Sequence, residues 1–439
     1  MILSGWGRFP RVECPLLEVR HEAEIAAAIA GSRSIIARGN GRAYGDAAMN
    51  PAATLSMRRL SRLIAFDEAT GLLACEAGTL LVDLVRLFVP RGWFVPVTPG
   101  TKFVTVGGMI AADVHGKNHH VAGAFGDHVL WLDLMGADGA VRRCSREVEP
   151  DLFWATCGGM GLTGVVLRAA FHLVRIETDL IRQVTHKAAN LDEAMTVFES
   201  NGDIPYSVAW IDCLSQGERL GRSLITLGAH ATANAVREAG RRPFDGAAPK
   251  RALRVPFDAP GFALNRWSVK AFNALYYRRG TPGTALVPIE SYFYPLDGLL
   301  DWNRIYGANG FVQYQFALPK AAGREGLRNI LTRIAKHGSG SFLAVLKLFG
   351  AGRGFLSFPV EGYTLALDFP ATVANFNLLT TLDAMVAEAG GRIYLAKDAR
   401  SASATVLGGY PERARFSALR DRVDPGRRFA SLQSQRLGL

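Results

Sequence analysis

The sequence predicts an α+β fold in two domains, on three observations. The chain has 439 residues, more than one ordinary core serves. Strand-like runs and helical periodicities alternate along it. Its texture also changes near Arg175, where a glycine-rich first part gives way to a second part with a long basic stretch.

In chain order, residues 18–30 read as a helix, with Ile25, Ala26, Ile29 and Ala30 at helical spacing. Residues 34–37 read as a buried strand running into Arg38-Gly-Asn-Gly-Arg-Ala-Tyr-Gly-Asp46, a glycine-rich turn suited to phosphate. The turn fails as a nicotinamide-dinucleotide fingerprint. Gly39, Gly41 and Gly45 are one residue too wide, and Pro51 cuts short any following helix. Strands are expected at 60–66, 72–76 and 94–97, and a helix at 80–89. A hairpin is expected around Asp138-Gly139 (129–137 with 140–143). A small-residue loop (151–164) then precedes a strand (165–173).

In the second part, helices are expected at 191–200, 324–337 and 371–388. Strands are expected at 206–213, 291–294, 311–317, 342–349 and 363–369. Residues 237–283 read as an irregular, mobile basic insert with interleaved aromatics, able to meet a membrane surface. The division is 1–175 with 392–439 as one domain and 176–391 as the other.

Hydrophobic residues are 49% and charged residues 20%, which excludes a disordered chain. The net charge of +11 favours an anionic partner. Nucleic acid is set aside because no recognition motif appears. The five cysteines are scattered and never in a Cys-x-x-Cys pair, which argues for free thiols in a reducing compartment. No secretion signal or membrane-spanning run is apparent, so a cytoplasmic protein in peripheral membrane contact is expected.

The stretch 99–127 organises the chain. Its Gly107–Ala112 part carries little side-chain bulk, which lets backbone approach a flat or phosphorylated group. A dense polar run, 113–120, follows. Its histidines His115, His119 and His120 lack metal-site spacing, so no metal is expected. Gln313 and Gln315 alternate and share a strand face, a pair of amides suited to sugar hydroxyls. Lys117 and Lys347 suit a phosphate. Trp210, Tyr292, Phe293 and Tyr294 are candidate pocket walls.

Seven motifs occur in order: Ala-Arg-Gly-Asn-Gly-Arg-Ala-Tyr-Gly-Asp (37–46), Pro-Gly-Thr-x-x-Val-Thr-Val-Gly-Gly (99–108), His-Gly-Lys-Asn-His-His (115–120), Gly-Gly-Met-Gly-Leu-Thr-Gly (158–164), Gln-Tyr-Gln (313–315), Lys-Leu-Phe-Gly (347–350) and Tyr-Leu-Ala-Lys-Asp-Ala-Arg (394–400). With them the chain closely resembles the decaprenylphosphoryl-β-D-ribose oxidase family, within the vanillyl-alcohol-oxidase/PCMH-type FAD-binding fold. The resemblance implies a mostly antiparallel-sheet substrate domain and noncovalent FAD, since the loop Gly41-Arg42-Ala43 holds no histidine.

It implies that Arg38, Gly39, Asn40, Gly41, Arg42, Ala43 and Tyr44 wrap the pyrophosphate. Gly100, Thr101, Thr105, Gly108, Ala112, His115, Gly116, Asn118 and Tyr394 line the flavin, and Gly161, Thr163 and Val165 hold the nucleotide part. The substrate residues are Lys117, Trp210, Gln313, Gln315, Lys347, Thr364, Ala366 and Lys397. Ala366 and Thr364 stand where the family usually has Cys and Asn.

The reaction implied is oxidation of the 2′-hydroxyl of a polyprenyl-phosphoryl ribose, with hydride passing to the flavin. A separate nicotinamide-dependent ketoreductase then completes epimerisation to the arabinose donor. The base is Lys397, which the family places beside the flavin, or His115. The alternatives are an oxidase of soluble sugar alcohols or aldonolactones and a flavin-free lipid-sugar binding module.

Overall fold

The computed structural model describes residues 1–245 and 252–439. In the first part, Leu16–Glu18, Thr54–Ser56 and Ile36–Arg38 form a small parallel sheet. A five-stranded antiparallel sheet follows the order Val141–Ser145, Val129–Met135, Val165–His172, Leu72–Glu76, Leu63–Asp67. The expected hairpin is there, turning at Gly139 with φ +76°.

The second part is built on an eight-stranded, wholly antiparallel sheet. Its order is Gly283–Pro288, Leu180–Ala188, Ser223–His230, Tyr206–Ile211, Val345–Phe349, Gly362–Pro370, Phe311–Pro319, Arg392–Ile393. Helices Lys320–His337 and Val373–Glu388 pack against Phe311–Pro319. In the first of them Leu327, Ile330, Leu331 and Ile334 are buried on one stripe, and Gly338 ends it at φ +82°. Strand Gly362–Pro370 is buried along all but its last residue, with the helix Lys320–His337 packed against it.

Several expectations are corrected. Residues 291–294 are not a strand: 291–293 belong to the helix Ile289–Phe293, in which Ile289, Tyr292 and Phe293 are buried at helical spacing, and Tyr294 is its C-cap. Burial overrides the strand preference of the aromatics. The loop at 151–164 begins as the helix Pro150–Thr156, with proline in the first turn where its missing N–H costs nothing. The basic stretch is not irregular throughout. It holds the 14-residue helix Arg266–Arg279, capped by Asn265, and the strand Leu253–Arg254. Of that helix only Val269 and Asn273 are buried, so it carries no apolar stripe to read. Lys250 and Arg251 of this stretch lie outside the described residues. Arg392–Ile393, expected to open the return into the first domain, pairs with Phe311–Pro319 in the large sheet.

Candidate functional site

Sheet register assembles the first half of the site. Directly opposed residues in antiparallel strands share a face. Gln313 opposes Asp368, Gln315 opposes Ala366, Lys347 opposes Thr364, and Trp210 opposes Val345, two residues from Lys347. Trp210, Gln313, Gln315, Lys347, Thr364 and Ala366, all expected as substrate residues, therefore occupy one face of four adjacent strands. Asp368 joins them. It was missed, although it continues the alternation Thr364, Ala366 along its strand. Trp210 donates to Phe342 O (2.9 Å) and is covered by Tyr276 of the basic helix, ring centroids 4.7 Å apart.

The second half comes from three distant segments. Tyr44 N donates to Ala396 O (3.0 Å), Asn40 Nδ2 donates to Phe103 O (2.7 Å), and Lys397 Nζ lies 3.8 Å from the Tyr44 ring centroid. The glycine turn thus touches both the 99–108 stretch and the 394–400 turn. Close approach demands its glycines: a Cβ on Gly39 would lie 2.2 Å from Thr105 Oγ1, and one on Gly45 would lie 2.0 Å from Asp398 O. Gly41 has φ +62°. Among the described residues, nothing accepts from the backbone N–H groups of residues 39–43. Consecutive amides left open in this way are a ready cradle for a pyrophosphate.

The two arginines of that turn differ. Arg38 donates to Ser4 O (2.7 Å) and Ala48 O (3.2 Å), which braces the turn. Arg42 stacks on Trp6 (3.9 Å), and its Nε has no partner among the described residues. Arg58, also missed, bonds Asn40 Oδ1.

Other expected cofactor residues separate in the same manner. Thr105 caps Val106–Ala111 by accepting from Gly108 N (3.2 Å). Ala112 O accepts from the Tyr394 phenol (2.9 Å), which sets that ring 5.1 Å from His115. Asn118 is used to brace Pro96 O (2.8 Å), leaving its oxygen against Gly116. Thr101 Oγ1 accepts from Phe103 N (3.3 Å). Thr163 pairs with Thr156 (2.9 Å), and Val165 is buried in the small core beside Ile35 and Leu55. Between Thr163 and the helix Pro150–Thr156, Gly161 turns the chain at φ +79°. Gly100 is exposed, with nothing within 4 Å of where its Cβ would be.

His115 joins the two halves. Gln315 Nε2 lies 3.0 Å from His115 Nε2 and 3.2 Å from Thr364 Oγ1, and Thr364 Oγ1 donates to Phe316 O (2.8 Å). Thr364 has already committed its proton, so its oxygen accepts and the amide nitrogen must face it. That amide nitrogen then donates to His115 Nε2 as well. This network assigns the imidazole proton to Nδ1, which is buried without a partner. Burial, with Lys347, His119 and Lys397 nearby, holds the His115 pKa well below its ordinary value. His115 is therefore a neutral donor whose lone pair is occupied. His119 lies beyond Phe349, buried, with its pKa brought down to about 3 by burial first and Lys347 second.

The cations are concentrated. Burial lowers Lys347 to about 8, and burial followed by repulsion from Lys347 lowers Lys117 to about 7. Lys117 Nζ donates to Tyr292 O and sits 4.1 Å over the Tyr292 ring. For Lys397, burial outweighs attraction to Asp368 and brings the amine to about 7. Asp368, hydrogen-bonded by Gln313 (2.7 Å) and Tyr306 (3.1 Å), is raised to about 7 by burial. Asp113, just ahead of His115, was also missed. It anchors the turn by accepting from Gly126 N (3.0 Å) and Ser357.

A family model described as FAD binding domain matches residues 15–145. The decaprenylphosphoryl-β-D-ribose oxidase of Mycolicibacterium smegmatis is 39% identical over 450 aligned positions, covering 100% of this chain and 97% of that protein. The chain belongs to the decaprenylphosphoryl-β-D-ribose oxidase family. It is an FAD-dependent oxidoreductase with the PCMH-type FAD-binding fold. Similarity to the L-gulonolactone oxidase of Mus musculus is 31% over 162 positions, 35% of this chain and 36% of that one. The open amides of residues 39–43 and the glycine contacts around them fit this family's cofactor, FAD. Among the described residues, no cluster of three or more His, Cys, Asp or Glu is placed to hold a metal. No helix among them is long and apolar enough to cross a membrane.

Proposed function

We propose that this protein oxidises the 2′-hydroxyl of a polyprenyl-phosphoryl-β-D-ribose to the 2′-ketone, the first half of an epimerisation. The full-length likeness to the mycobacterial enzyme carries this reading, since the lactone oxidase matches barely a third of the chain. The amine cluster supports it: Lys117 and Lys347, gathered beside the base Lys397, can each hold a proton against an anion. A soluble lactone has no charge to balance them; a phosphodiester does.

FAD, held noncovalently by the glycine turn, supplies the acceptor for the hydride leaving the carbinol carbon. Lys397 takes the hydroxyl proton on Nζ as the C=O bond forms, its lowered pKa leaving about half of it neutral at pH 7. His115 donates from Nδ1 and orients the reacting groups. Gln313 and Gln315 present amides along the sugar, and Lys117 and Lys347 receive the phosphate. Ala366 carries no acid, base or nucleophile. A nicotinamide-dependent ketoreductase then consumes the ketone.

The test is anaerobic reduction of the holoprotein with polyprenyl-phosphoryl pentoses and with free sugars. The flavin is expected to bleach with the lipid-linked ribose and not with ribose or gulonolactone. Bleaching by the free sugars alone overturns the substrate assignment.

We further propose that residues 253–279 rest on an anionic membrane. Phe257, Phe262 and Trp267 are 68%, 80% and 74% exposed. Arg254, Arg266, Lys270, Arg278 and Arg279 surround them, also exposed. The F262D/W267D variant is expected to lose about tenfold in affinity for phosphatidylglycerol vesicles in a flotation assay, at unchanged Tm. Equal flotation of wild type and variant removes this surface from membrane binding.

A further inference from the structure

The last helix, Leu432–Leu437, belongs to none of the motifs, yets its side chains reach both loops of the redox site. Arg436 donates through Nε and Nη2 to Asp46 Oδ2 (3.2 Å) and Oδ1 (2.9 Å). The same Nη2 lies 2.9 Å from Asp398 Oδ2, and Nη1 donates to Ser401 O (2.7 Å). One turn earlier, the buried Gln433 donates from Nε2 to Leu395 O (2.6 Å) and Asp398 O (3.4 Å). Asp46 closes the glycine turn; Asp398 follows Lys397.

The two carboxylates are not free to follow other partners. Asp398 Oδ1 accepts from Arg400 N (3.1 Å) and Ser401 N (2.9 Å), which locks the carboxylate to its own turn. Any shift of the guanidinium therefore carries the Lys397 turn with it. On the other side Tyr44, two residues before Asp46, bonds Ala396 and lies under Lys397 Nζ. The guanidinium fork hydrogen-bonds Asp46 and Ser401 O and ion-pairs with Asp398, a spread of contacts that a lysine ammonium cannot reproduce.

We infer that Arg436 is a positioning residue, holding the Lys397-bearing turn in register with the cofactor loop. This rests on the reading of Lys397 as the base. A misplacement of about 1 Å at a reacting group is worth about 10²-fold in rate, so the register itself has catalytic weight.

The experiment is a double-mutant cycle on holoenzyme, reading the limiting rate of anaerobic flavin reduction by a short-chain polyprenyl-phosphoryl ribose. R436M is expected to lower that rate about 10- to 100-fold, with the half-saturating substrate concentration within twofold of wild type. R436K is expected to restore only part of it. In a K397A background, R436M is expected to cause no further loss. D46N, which keeps the shape and weakens one arm of the fork, is expected to show the same pattern more mildly and serves if R436M does not fold. Equal slowing in the wild-type and K397A backgrounds means a purely structural role and overturns the inference, as does an unchanged rate in both R436M and D46N. Undiminished reduction by K397A alone overturns instead the base assignment.

Discussion

K397A is expected to remain yellow and to reduce its flavin about 10²- to 10⁴-fold more slowly with the lipid-linked ribose. The argument is one of protonation and place. Lys397 Nζ sits over Tyr44, beside the amides open to the pyrophosphate and near the sheet face bearing Gln313 and Asp368. Burial lowers its pKa to about 7; Asp368 opposes that shift and Lys347 adds to it. A base works in its neutral form, and the neutral fraction grows as pH rises through the pKa. The reduction rate should therefore fall about tenfold per unit below pH 7 and level off above it. In K397A that limb should vanish along with the rate. His115 offers no substitute, because its Nε2 lone pair is already held by Gln315. Stopped-flow reduction across pH 5 to 9 reads both effects. A K397A variant that keeps the wild-type rate and limb would falsify the assignment.

What the sequence could announce here was local chemistry at fixed spacing. The glycine turn, the histidine run and the Gln-Tyr-Gln strand are each legible because a few contiguous residues carry the whole signal. The alternation of Gln313 and Gln315 even gives the correct common face. Pairings across the sheet are not legible in this way. Strands Leu180–Ala188 and Ser223–His230 are second and third in its order but intersperse charges and hydroxyls, so no clean apolar period marks them. The placing of Trp210 opposite Val345, two residues from Lys347, depends on pairing two strands far apart in the sequence, which only tertiary packing fixes. Aromatic residues misled at Tyr292–Tyr294, where burial on a short helix outweighs strand preference. Asp368 was passed over because it lies in an apolar strand, and its burial looks costly until Gln313 and Tyr306 are seen to bond it. The bracing part of Arg38 was hidden for a related reason: a cation in a phosphate loop suggests anion binding, and its bonds to the carbonyls of Ser4 and Ala48 come from distant chain.

G45A is expected to be purified with little or no flavin. The methyl group has nowhere to go: its carbon would lie 2.0 Å from Asp398 O and 2.8 Å from both Ala399 Cα and Ala399 Cβ. The opposing wall is backbone, held by Asp398 N bonding Tyr394 O and by Gln433 bonding Leu395 O, so it cannot rotate aside as a side chain would. The turn cannot retreat on its other side either. Trp6 N and Gly7 N bond Ala43 O and Tyr44 O, and a Cβ on Gly5 would already touch Gly45 O at 2.4 Å. The strain must separate the glycine turn from the 394–400 turn, and with them the amides from the base. Overpacking of this kind costs about 2 kcal/mol, or about 30-fold in FAD affinity if it falls wholly on binding. G31A is the control, because that glycine is exposed and its Cβ position is open. Its flavin content should match wild type. The ratio of flavin absorbance to protein absorbance in the purified variants decides the matter. A fully loaded G45A means that the close approach of the two turns is not what holds the cofactor.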